Sequence, residues 1–144
     1  MGRIVSIDYG LKRIGLAVSD EMKIIATFLG VIEAEKTSDA TIKKILAALA
    51  SYKNIETILV GVPFHMDGKA GIMVDEVRHF IEKLALHISC PIVEWDERLS
   101  TVQAERSLTS LSRKKRSKVI DGVTAVILLQ SYLERLTFLK ESRL

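Results

Sequence analysis

Three apolar runs open the chain, at residues 3–9, 14–19 and 24–32, and the links between them are short and polar: Gly10-Leu11-Lys12-Arg13 and Asp20-Glu21-Met22-Lys23. Extended runs joined by such links predict two successive β-hairpins. Ser38 then offers an N-cap to a helix whose Ile42, Ile45, Leu46 and Leu49 recur at the i, i+3, i+4, i+7 spacing of one buried face. Thr57–Val62 is apolar enough to be buried on both faces and stops at Pro63, the pattern of a central strand in a parallel sheet. A second amphipathic helix carries Met73, Val77, Phe80, Ile81, Leu84 and Ile88 on one side and Asp75, Glu76, Arg78, Glu82 and Lys83 on the other. Pro91–Trp95 reads as a fifth strand. Helices over about 100–111 and 119–136, separated by a basic loop, complete the order βββαβαβαα.

A meander followed by two right-handed crossovers predicts an α/β fold with a mixed five-stranded sheet. Its strand order is 3-2-1-4-5, strand 2 is antiparallel, and helices flank it. The 144 residues suit a single domain, 1–144. In open sheets of this kind the binding crevice lies off the carboxyl ends of the parallel strands.

Candidate chemistry gathers at those ends. Asp8 closes the first run on the same alternating face as Ile4 and Ser6, where an ionised carboxylate needs a partner to offset its desolvation. Glu97 follows the fifth strand, and Asp121 opens the last helix, so three acids distant in sequence could converge. Oxygen ligands without cysteine or clustered histidine suit a hard cation, Mg²⁺ above all with Mn²⁺ as a substitute. Phosphodiester cleavage is the matching reaction, with two such ions about 4 Å apart able to activate water and stabilise the leaving oxygen. Each acid has a plainer alternative. Asp8 could take a hydrogen bond in the hairpin turn, Asp96 competes with Glu97 for the second position, and Asp121 could only complement its helix dipole, an effect of about 0.3–1 kcal/mol. The dipole does not account for Gly122 beside it, a residue that permits close backbone approach.

Net charge is only +3, but Arg113, Lys114, Lys115, Arg116 and Lys118 fall together with no acid between Glu105 and Asp121. Such a block is either a solvated loop or a contact for a polyanion. Arg13 and Arg98 divide the same way, between surface charge and bidentate contact to phosphate. His65, His79 and His87 show no ligand spacing, and the 61–68 loop lacks the signatures of a phosphate cradle. Cys90 is the only cysteine, which excludes an internal disulfide and a cysteine-based zinc site and suits a reduced, cytosolic setting. The longest apolar stretch, 123–129 interrupted only by Thr124, is far short of the roughly 20 residues that span a bilayer, so a soluble protein away from membranes is expected.

Four segments carry a family resemblance covering nearly the whole chain. Asp8-Tyr9-Gly10-Leu11-Lys12-Arg13-Ile14-Gly15-Leu16-Ala17-Val18-Ser19-Asp20 fits a D-x-G-x-x-R-x-G-x-A-x-S-D opening, and Gly61-Val62-Pro63-Phe64-His65-Met66-Asp67-Gly68 fits a G-x-P-x-x-x-D-G loop. Asp96-Glu97-Arg98-Leu99-Ser100-Thr101 fits D-E-R-x-S/T, and Asp121 through Gln130-Ser131-Tyr132-Leu133 a final acidic helix. In these the chain resembles the YqgF/RuvX group of RNase H-like proteins, described as Holliday-junction-resolvase-like and as pre-16S ribosomal RNA nucleases. His65 and Thr124 depart from the residues common at their places. The resemblance implies an RNase H-like fold, Asp8, Glu97 and Asp121 as metal-binding catalytic acids, and a nuclease acting on structured RNA in ribosomal RNA maturation. Branched DNA remains an alternative substrate. So does a non-catalytic nucleic-acid-binding factor in ribosome assembly.

Overall fold

The computed structural model describes residues 2–63, 68–97 and 113–141, with side chains throughout these spans except at 68–70 and 113–121. Five strands form one sheet: β1 (Arg3–Asp8), β2 (Arg13–Ser19), β3 (Ala26–Glu33), β4 (Ile55–Val62) and β5 (Ile92–Asp96). Their order is β3-β2-β1-β4-β5. β2 is antiparallel to both β1 and β3, whereas β4 is parallel to β1 and β5. The expected mixed sheet and its strand order are observed. The described helices are α1 (Ser38–Leu49), α2 (Gly68–Ala85) and α3 (Arg113–Glu141).

Period-2 alternation divides the sheet between two cores. On one face, Val5, Ile7, Ile14, Leu16, Ile58, Val60 and Val62 pack with Ile42, Ile45 and Leu49 of α1 and Val77, Phe80 and Leu84 of α2. On the other, Ile4, Ala17 and Leu59 meet Ala125, Leu129 and Leu133 of α3. Each fully buried aliphatic side chain in these layers contributes about 1.5–3 kcal/mol. The buried Ser6 hydroxyl donates to the Ala125 carbonyl at 2.6 Å, so the one polar side chain of β1 that α3 covers is satisfied by the helix itself.

Three boundaries differ from expectation. Thr37, not Ser38, caps α1: it is extended (φ −117°, ψ 149°) and its hydroxyl accepts from the Ala40 N–H. α2 begins at Gly68, ahead of its first apolar anchor, Met73. The basic block is no loop, since Arg113, Lys114, Lys115, Arg116 and Lys118 belong to the first turns of α3. Lysine and arginine are good helix formers and no Gly or Pro interrupts 113–121, so propensity outweighs the unfavourable meeting of cations with a helix N-terminus. The helix expected over 100–111 lies outside the described residues.

A β-bulge shapes the edge strand. Leu16 pairs with Gly30 but Ala17 pairs with Phe28, which leaves Leu29 as the extra residue. Phe28 and Val31, three apart, therefore both face α3.

Candidate active site

The Ser6–Ala125 contact sets the register between β1 and α3. Asp8 lies two residues beyond Ser6 on the same face, paired with Gly15 of β2. The direction of α3 follows from its contacts along β3. Gln130 donates to the Ile24 carbonyl and accepts from the Ala26 N–H at 3.0 Å each, at the start of that strand. Gly122 instead sits against Phe28, where a Cβ would collide with the ring. Farther along, Val123 and Val126 wall a groove with Val31 and Glu33. The N-terminal part of α3 thus lies toward the carboxyl end of β1, and the backbone of Asp121, one turn before Ala125, belongs to the same end as Asp8.

Glu97 reaches that end from the opposite flank. On β5, Val93 and Trp95 face α3, with the Trp95 indole donating to the Ser131 hydroxyl at 3.1 Å, and Glu97 continues their parity. Asp96 shares the other parity with Glu94, which pairs with Arg78 of α2 at 3.1 Å. Glu97, rather than Asp96, lies over Gly61. A Cβ at Gly61 would stand 3.0 Å from Glu97 Cγ, 3.1 Å from Oε1 and 2.8 Å from Leu128 Cδ1.

Gly61 pairs with Trp95, and the β1–β4 ladder, which matches Ile7 with Val60, brings Asp8 beside Gly61 at its next step. Asp8 and Trp95 are thus two strand spacings apart, roughly 10 Å, and the Glu97 side chain leans back across the strand between them. A side chain at 61 would run into Glu97, so the glycine lets that acid lie close over β4 on the side toward Asp8. Two carboxylates brought to one end of the sheet are oxygen donors of the kind a hard divalent cation prefers. Among the described residues no group of three or more His, Cys, Asp or Glu gathers to hold a metal, and the Asp121 side chain is not one of those described.

Arg13 starts β2 opposite Glu33, on the same face as Asp8, and lines the groove beside α3. Gly10 keeps the preceding turn tight, because a Cβ there would meet the Arg13 carbonyl at 2.5 Å. Of the remaining candidates, Arg113, Lys114, Lys115, Arg116 and Lys118 have helical backbones whose side chains are not described, about 12 Å of helix separating Arg113 from Asp121. Arg98 and His65 lie outside the described residues.

Other motif residues serve the scaffold. Asp20 closes the β2–β3 turn by accepting from the N–H groups of Ile24 and Ile25 at 2.7 and 2.8 Å, and these bonds hold its carboxyl below the usual carboxylate range. Tyr9 points away from the acids and stacks on Phe80 at 4.5 Å; burial, with Glu76 nearby, raises its hydroxyl pKa. Sequence reasoning missed Gly61 as a spacer, Gln130 as the tie to β3, and the Phe28 groove. Only Gly61 left a signal, a glycine inside an otherwise apolar strand.

A relative in Protochlamydia amoebophila is 50% identical over 139 residues, covering 92% of this chain and 93% of its own length, and is named "Putative pre-16S rRNA nuclease". Relatives of the same name in Halothermothrix orenii and Geobacillus kaustophilus are 44% and 42% identical over 91% and 92% of this chain, and 94% and 97% of their own lengths. Among solved structures, Thermus thermophilus RuvC bound to a Holliday junction superposes with a TM-score of 0.53 at 14% identity, over 94% of this chain and 96% of that one. The fowlpox virus Holliday junction resolvase gives 0.58 at 14% identity, over 93% and 99%. These likenesses establish the resolvase-type RNase H-like fold. Residues 2–135, which hold the sheet, α1, α2 and most of α3, match the family described as "RuvX: Holliday junction resolvase", and the chain belongs to the RuvX family.

Proposed function

We propose that this protein is a nuclease that hydrolyses phosphodiester bonds in structured nucleic acid, with precursor 16S ribosomal RNA as its substrate and the cytosol as its setting. The observation that carries the reading is that Glu97 lies over Gly61, the β4 residue one step past the Ile7–Val60 pair and hence on the side toward Asp8. With Asp121 they would hold Mg²⁺, which Mn²⁺ could replace. When bound, the metal would lower the pKa of a water nucleophile and offset charge on the phosphate.

The chain's own residues do the rest. Asp8 ends β1 and Glu97 directly follows β5, so the sheet would position both carboxylates before a phosphate arrives. Arg13, Arg98 and the basic turns of α3 (Arg113, Lys114, Lys115, Arg116 and Lys118) supply cations for the polyanionic backbone. The names of the relatives favour RNA, whereas the family's description favours branched DNA as a second substrate.

The test compares wild type with Asp8→Asn and Glu97→Gln on precursor 16S RNA and on a four-way DNA junction, with Mg²⁺ or Mn²⁺. Both variants should lose cleavage by at least about 10²-fold, as expected when groups that position and stabilise the transition state are removed. Wild-type protein that cuts neither substrate overturns the reading in favour of a non-catalytic binding factor. Cleavage confined to the junction replaces RNA by branched DNA.

A further inference from the structure

Beside the acids, between the edge strand β3 and α3, lies a groove of about 620 Å³ lined by Phe28, Val31, Val123 and Val126, with Gly122 in its floor and Arg13 and Glu33 at its rim. Its size is that of a small-molecule site. Phe28 is 55% exposed, although an aromatic ring on a sheet edge would bury most of its area if packing were its only purpose. The ring instead lies flush against the α3 backbone at Gly122, the residue after Asp121.

Two features tie the groove to the acids. Asp8 pairs with Gly15 and Gly15 with Val31, so the groove wall stands roughly two strand spacings, about 10 Å, from Asp8 on the same face. The residue between them is a glycine, which raises no barrier. The bulge at Leu29 turns both Phe28 and Val31 toward α3; without it they would point to opposite faces.

We propose that this groove is a nucleobase pocket, in which an unpaired base next to the scissile phosphate stacks on Phe28. The inference rests on the nuclease reading above and narrows its substrate class to strands with single-stranded nucleotides beside the cut. Flat apolar faces and polar edges are what the site complements: Val31, Val123 and Val126 enclose the faces, and the Glu33 carboxylate at the rim can accept from an exocyclic amino group. Arg13, which pairs with Glu33 at this rim, stands on β2, the strand between β3 and the strand of Asp8, where the sugar-phosphate would pass. Bases in a continuous duplex are stacked on each other and cannot enter.

The test uses the full chain and two fluorescein-labelled RNAs, a blunt hairpin and the same hairpin with a short single-stranded extension. Affinities are read by anisotropy in an Asp8→Asn background, and cleavage is read with Asp8 intact. Wild-type groove residues should favour the extended hairpin. Phe28→Ala should weaken its binding between about 5-fold and about 150-fold, the range for losing one base–aromatic stack, and leave the blunt hairpin unchanged. Phe28→Leu, which keeps apolar bulk, should lose the preference, and Phe28→Tyr should keep it.

An unaltered preference in Phe28→Leu overturns the pocket while RNA cleavage by wild type leaves the nuclease reading standing. Protein that neither binds nor cuts RNA removes both. A change from dimer to monomer on Phe28→Ala, with the preference intact, would make the groove a self-association face and likewise overturn the pocket.

Discussion

Gly61→Ala tests the central geometry by adding one methyl group. Its Cβ would stand 2.8 Å from Leu128 Cδ1 and 3.0 Å from Glu97 Cγ, where carbon atoms prefer about 3.5–4.0 Å. The overlap is thus roughly 0.5–1 Å on both sides. Leu128 is fully buried and has little room to yield. Alanine in a strand would by itself stabilise by about 0.5–1 kcal/mol, because it restricts the unfolded chain, but overpacking of this kind costs about 1–3 kcal/mol. The clash wins, and a net loss of about 1–2 kcal/mol is expected in urea unfolding followed by fluorescence of Trp95, the only tryptophan. Glu97 must also move by a large fraction of an ångström, which in single-turnover cleavage should cost up to about 10²-fold. Gly30→Ala is the control, since nothing lies within 4 Å of its Cβ position. A Gly61→Ala variant as stable and as active as wild type would refute the position assigned to Glu97.

Three further outcomes follow from particular contacts. Gln130→Ala removes both bonds that tie α3 to β3, at Ile24 and Ala26, and should cost about 1–2 kcal/mol with faster hydrogen exchange at the Ala26 amide; unchanged exchange would contradict that tie. Gly122→Ala gains about 1 kcal/mol of helix propensity while displacing the half-exposed Phe28 ring, so thermal melting should show little loss, and a large one would mean the ring cannot swing aside. Asp20 has a depressed folded-state pKa, so its stabilisation is complete above the unfolded value near 4 and fades as pH falls through the folded one; urea midpoints of Asp20→Asn should be less pH-dependent than wild type below about pH 4, and parallel curves would contradict it.

The strand order was legible because each apolar run switches between period 2 and period 3.6, and because short polar links leave few topologies. The parity of Asp8 with Ile4 and Ser6 was legible for the same reason. What escaped depends on contacts between segments distant in sequence. Thr37 and Ser38 are equally good caps in composition, and only the extended backbone at Thr37 decides between them. The start of α3 at Arg113 was hidden because a run of cations reads as solvated loop and as helix alike. The bulge at Leu29 shifts one residue, and with it which side chains line the groove, while leaving no mark in the hydrophobic pattern. Asp96 and Glu97 are adjacent acids that the hydrophobic pattern does not separate, whereas the contact of Trp95 with α3 does.

The most direct measurement is a Mn²⁺-soaked crystal of the catalytically competent protein, with anomalous scattering used to locate the ion. A peak touching carboxylate oxygens of both Asp8 and Glu97 is expected. A crystal with no peak there, from a preparation that cuts RNA when Mn²⁺ is added, would contradict it.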